Sequence, residues 1–150
     1  MDTYLLTYRG QIRALLSAGQ QAWFVTTHSE QQPTALYRIE LEKELPQLWS
    51  VALPCGATAL ARLDTQLWLA GTDGQLYHLP WEGGIPAVLA GLNFGPDPIL
   101  ALAPLAGAAL AVLQATQVHL VQRHARVQTL TLPQGATVMA SDPSGTWLAV

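Results

Sequence analysis

The segment Gln66-Leu67-Trp68-Leu69-Ala70-Gly71-Thr72-Asp73-Gly74-Gln75-Leu76-Tyr77-His78-Leu79 reads as two strands and the turn between them. Thr72-Asp73-Gly74 is the turn, because Asp-Gly accepts the positive φ angles that a tight hairpin demands. The first arm, Gln66–Ala70, is apolar on consecutive residues, which fits a strand buried on both faces rather than one lying on a wet surface. The second arm leads through Leu79-Pro80-Trp81-Glu82-Gly83-Gly84 into another turn.

Worked outward, the same pattern recurs along the chain. Gln21-Ala22-Trp23-Phe24-Val25 and Gly145-Thr146-Trp147-Leu148-Ala149 resemble the first arm, and Ala108-Ala109-Leu110-Ala111-Val112 fits the slot with Leu110 in place of Trp. The slots at 23, 68, 110 and 147 lie 45, 42 and 37 residues apart. The second arm recurs in step as Ala35–Ile39, Gln75–Leu79 and Gln117–Val121. A third family precedes each slot (Ile12–Leu15, Thr58–Ala61, Ile99–Leu102, Val138–Ser141), and a fourth follows the second arm (Leu48–Val51, Pro86–Leu89, Val127–Leu130). Each unit therefore offers four short strands, A to D, with turn residues between them. Ser17-Ala18-Gly19 and Asp142-Pro143-Ser144-Gly145 separate A from B, and Gly83-Gly84 separates C from D.

A period of ~40–45 residues with four strands per unit is the mark of propeller blades. The chain resembles WD40-like β-propeller repeats. Asp142-Pro143-Ser144-Gly145-Thr146-Trp147-Leu148-Ala149-Val150 is similar to their A–B turn and B strand, and Ala70–Leu76 to their B–C hairpin. The signature Gly-His and Trp-Asp dipeptides are absent, so the His–Asp hydrogen-bond network of such blades is not expected here. Kelch-like and quinoprotein-like propellers share the period. A β-sandwich or small barrel also has short strands at regular spacing, and the Ala/Leu-rich stretch 100–113 is the best case for a helix. The expected fold is all-β: about three and a half blades over residues 10–53, 56–91, 97–132 and 135–150, one partial domain of a larger ring. Known propellers close with roughly 4–8 blades, so completion by further blades, or self-association of two copies, is expected. Thr3–Tyr8 reads as a short strand that completes a final blade, with a loose N-terminal extension as the alternative.

Composition narrows the function classes. Half of the 150 residues are hydrophobic and 11% are charged, against roughly 25% in ordinary soluble domains, so much of the surface is expected to be covered. The net charge of −3 and the scattered Lys and Arg residues argue against nucleic acid as a partner. Cys55 is the sole cysteine, which excludes an internal disulfide. The N-terminus lacks the basic and apolar regions of a secretory signal, and a cytoplasmic location is expected. No charged residue occurs between Asp97 and Arg123. The apolar part, 98–113, is shorter than the ~20 residues a spanning helix needs and reads as two buried strands joined by a turn, so no membrane association is expected.

Chemistry-bearing motifs do not assemble. His28, His78, His119 and His124 show no metal-ligand spacing, and Cys55 has no neighbouring ligand. There is no nucleophile elbow and no phosphate loop. Glu40, Glu42 and Glu44 form an acidic run on a solvated strand face, and Asp64, Asp73 and Asp142 lie in turns, where Asp bonds local backbone. No catalytic, cofactor or metal residue is therefore assigned. Trp23, Trp68 and Trp147 share a repeat position and are expected in the core. Trp81 stands in a loop with polar neighbours, where an exposed Trp acts as a binding anchor. Trp81 and Glu82, with Tyr77 and His78 on the strand leading to them, are the candidate partner-binding residues. The expected function is a non-enzymatic protein–protein interaction scaffold, as the resemblance implies. The alternatives are part of a propeller enzyme, or a propeller fused to a signalling or defence module of the bacterial kind.

Overall fold

A computed structural model describes residues 11–27, 34–40, 47–88, 92 and 94–150. The described residues are all-β and contain no helix. Three four-stranded antiparallel meanders follow one another. The first holds β1 (Gln11–Ala18), β2 (Gln21–Thr27), β3 (Ala35–Glu40) and β4 (Gln47–Ala52). The second holds β5 (Ala57–Leu63), β6 (Gln66–Gly71), β7 (Leu76–Pro80) and β8 (Ala87–Val88). The third holds β9 (Ala101–Leu105), β10 (Ala109–Gln114), β11 (Gln117–Gln122) and β12 (Ala125–Thr131). A fourth sheet consists of β13 (Ala140–Ser141) and β14 (Leu148–Ala149). The first strands of successive sheets pack against one another, β1 on β5, β5 on β9 and β9 on β13. The sheets therefore stack face to face around a shared inner edge, as propeller blades do. The expected strand Thr3–Tyr8, His28, and Glu42 and Glu44 of the acidic run lie outside the described residues.

Each B strand is apolar on consecutive residues because its two faces serve two different interfaces. In β6, Leu67 and Leu69 join the core shared with the first blade. Trp68 and Ala70 join the core shared with the third. β2 points Trp23 and Val25 forward in the same way, toward the second blade. Burial of such side chains, at roughly 1.5–3 kcal/mol each, glues blade to blade.

The forward slot in the third blade is Ala111, not Leu110 as the sequence alignment has it. Two residues separate β1 from β2 and β5 from β6, but three (Ala106, Gly107, Ala108) separate β9 from β10. A shift of one residue in a strand exchanges its faces. Leu110 and Val112 consequently point back to the second blade, while Ala111 and Leu113 point forward to the fourth. Trp147 departs from expectation as well. It occupies the forward slot of the fourth blade, but it is 77% exposed because no described sheet stands in front of it; its neighbour Leu148 packs backward on the third blade.

The turns are built as their residues dictate. Asp142 accepts hydrogen bonds from the backbone N–H groups of Ser144 (3.1 Å), Thr146 (2.8 Å) and Trp147 (2.7 Å). With the Ser144 contact foremost, this cradle holds its carboxyl down to about 2. Asp73 accepts from the Gln75 N–H at 3.0 Å and from the Tyr77 hydroxyl at 2.6 Å, so a Tyr–Asp pair closes this hairpin. The charge-free stretch resolves into β9 and β10 joined by a turn, followed by β11. No helix of the described residues is long and apolar enough to cross a membrane.

Candidate functional site

The four residues singled out from sequence separate onto two seams. Strand alternation sends Tyr77 and Leu79 of β7 toward the first blade. His78, paired with Trp68, lies toward the third.

On the seam between the first and second blades, Trp81 is only 6% exposed. This corrects the expectation of a solvent-facing anchor. Its backbone N–H donates to the Thr65 carbonyl at 2.8 Å, which folds the turn inward. The indole then lies 5.8 Å from Trp23, and the Arg62 guanidinium sits 4.4 Å from its ring centroid. Trp49 packs edge-on against Trp23 at 5.6 Å. The Arg38 guanidinium lies over both Trp23 and Trp49, at 5.6 and 5.9 Å. Arg38 also donates to the Glu82 carbonyl and pairs with the Glu40 carboxylate at 3.0 Å. The contribution of Glu82 here is its backbone; its side chain is exposed. An aromatic ring set among cations in this way fills the seam.

The seam between the second and third blades has the same plan with smaller parts. Trp68 replaces Trp23, and His78 replaces Arg38 as the partner on the neighbouring strand. His124, from the turn of the third blade, takes the place of Trp81, 5.7 Å from Trp68 at an interplanar angle of 76°. His78 and His124 lie 5.8 Å apart. The connection from β7 to β8 spans residues 81–86, whereas that from β11 to β12 is only Arg123-His124. An imidazole on a two-residue turn fills less space than an indole on a six-residue one. A cleft of about 180 Å³ is left among Leu63, Asp64, Gln66, Trp68, Leu110 and His124, with Thr65, Ala108, Val121 and Arg123 completing its wall. The four non-glycine residues with positive φ among those described are Asp64 (53°), Ala108 (55°), Arg123 (50°) and His124 (63°), and all four line this cleft. Burial, and then the nearby His124, holds the His78 imidazole below its ordinary range.

Two polar clusters lie elsewhere. At the opposite end of the strands, burial and the bond to Asp73 push the Tyr77 hydroxyl up, and burial, with Asp73 adding to it, pushes the Cys55 thiol up. A thiol so placed is a weak nucleophile. Within the third blade, Gln114 donates to the Asp97 carbonyl at 2.7 Å. Its side-chain oxygen faces His119 Nε2 at 3.1 Å, and His119 Nδ1 faces the Thr129 hydroxyl at 3.0 Å. His119 is 2% exposed and packs on Phe94, so both ring nitrogens serve the fold. Among the described residues no group of three His, Cys, Asp or Glu side chains is placed to hold a metal ion.

Of the residues singled out as a site from sequence, His78 packs against two residues of the cleft wall, Trp68 and His124, but none lines the cleft itself; Asp64, Trp68, Arg123 and His124 were not foreseen as a site. Contrast was the available signal: an indole follows the third strand of the second blade, and a two-residue Arg-His turn stands there in the third.

No family model matches the sequence, and no curated protein matches it. Among solved structures, the chain is similar to a crystal structure of the WD40 beta propeller domain of Doa1. The TM-score is 0.67 at 13% identity, and the match covers 90% of this chain and 45% of that one. The fold is therefore that of WD40-like propeller blades, and the chain spans less than half the length of the structure it matches.

Proposed function

We propose that this protein is a non-enzymatic scaffold for protein–protein interaction. The observation that carries this reading is the WD40-like blade architecture, a fold that in general serves protein interaction. Rigid meanders hold their connecting turns in fixed places, and a fixed array of turns recognises a partner at little entropic cost. The chain-specific part of the proposal is that the connecting turns, held at the blade seams, form the recognition surface.

Panning a random-peptide display library on the immobilised protein tests this. We expect enriched peptides to converge on a motif and to bind in the micromolar range. They should protect amides in the blade turns from hydrogen exchange. A library that converges on nothing, or peptides that bind the urea-unfolded chain equally well, would sink the proposal.

A further inference from the structure

We infer that the cleft between the second and third blades receives one aromatic side chain from a partner peptide. This inference rests on the scaffold reading and gives it a ligand class.

The molecule itself shows what belongs in the position. Both seams carry a forward-pointing Trp (Trp23 or Trp68), a cationic or imidazole partner from the next strand (Arg38 or His78), and a turn from the following blade. In the first seam that turn delivers the Trp81 indole, sandwiched between Trp23 and Arg62. In the second it delivers only the His124 imidazole, and about 180 Å³ stays open. An engineered cavity of about 150 Å³ lined by apolar side chains takes up a benzene ring, so the opening matches a single ring. Leu63, Leu110 and Val121 supply apolar wall, and Trp68 and His124 supply ring faces and edges for offset or edge-to-face contact.

Polar groups at the cleft fit a peptide better than a free hydrocarbon. The Trp68 Nε1–H is buried without an acceptor. Trp23 Nε1 shares that property, so an unpaired indole donor belongs to the repeat, and the open volume is what distinguishes the second seam. Arg123 and Asp64 place opposite charges on the two walls, which suits the dipole of a peptide unit rather than a net ion. Asp64, Ala108, Arg123 and His124 all hold left-handed backbone, so strained turns form both walls of the cleft.

The test is a titration of the folded chain with N-acetyl-tyrosinamide, followed by the ring resonances of His78 and His124, with N-acetyl-alaninamide as control. A dissociation constant on the order of 1 mM is expected for so small a ligand, with both imidazoles shifting and the control silent. His124→Trp rebuilds the packing of the first seam and should weaken binding at least tenfold while the fold is retained. Thr65→Trp, which blocks the cleft from an exposed position, serves if His124→Trp does not fold. Absence of saturable shifts, or binding that survives in the filled variant, overturns the inference. Library peptides that bind the chain but are not displaced by N-acetyl-tyrosinamide overturn it too, and leave the scaffold reading standing.

Discussion

Trp23, Trp68 and Trp147 occupy one position of the repeat, yet their surroundings set their energetic worth. Trp23 and Trp68 are 0% and 3% exposed, and Trp147 is 77% exposed. Removing a buried Trp deletes its transfer energy and leaves a void, at about 3–5 kcal/mol. An exposed one costs little, within about 0.5 kcal/mol. Urea unfolding of Trp68→Ala and Trp147→Ala, at concentrations dilute enough to keep the chain monomeric, should therefore separate by several kcal/mol; equal losses would contradict the arrangement. Gly74 offers a second residue-level check. Its φ is +77°, and an added Cβ would stand 2.1 Å from the Gly95 carbonyl oxygen. Gly74→Ala must both strain the turn and push backbone aside, so a loss of about 2 kcal/mol or more is expected from the same measurement.

Elements matter through turn length and face alternation. The single extra residue between β9 and β10 exchanges the faces of β10 and puts Leu110 into the cleft wall. The third blade also carries the hydrogen-bonded chain Asp97–Gln114–His119–Thr129. Burial first, and Arg126 second, hold the His119 imidazole below its ordinary range; burial and His124 do the same for His78. The folded state thus binds protons less readily than the unfolded chain. Stability is complete above the unfolded imidazole value of about 6.5 and is lost as pH falls below it. Urea midpoints should be lower at pH 5 than at pH 7.5. His119→Gln should shrink that difference, and adding His78→Gln should shrink it further. A difference that both substitutions leave intact would place the pH dependence elsewhere.

At the scale of the whole molecule, the array formed by the described residues is open at both ends. Leu15, on the face of the first blade turned away from the second, is 65% exposed, and Trp147 faces forward from the fourth sheet. Open blade faces and strand edges recruit further structure. We expect further blades to cover them, either from additional sequence or from a second copy. The isolated 16.1 kDa chain should consequently run as a dimer or larger species in light scattering on a sizing column. Its Trp147 emission should shift to the blue on association. A monodisperse monomer with a wet Trp147 would show that the open ends are stable by themselves.

The sequence by itself determined the all-β architecture, the four-strand period and the position of most strands. Those features rest on local chemistry: Asp-Gly and Asp-Pro-Ser-Gly turns, and apolar runs that only a strand covered on both faces explains. It also marked Asp73 and Asp142 as turn residues, and both bind local backbone. Only the tertiary structure decided which face each strand presents, because one turn residue more or fewer reverses it and the residue pattern of β10 reads plausibly in either register. That uncertainty placed Leu110 in a slot that Ala111 holds. Tertiary structure also buried Trp81, through a backbone bond to Thr65 that its polar neighbours do not foretell. The cleft belongs to the same class of facts. It is a difference in volume between two seams, and a volume exists only once two blades have been set side by side.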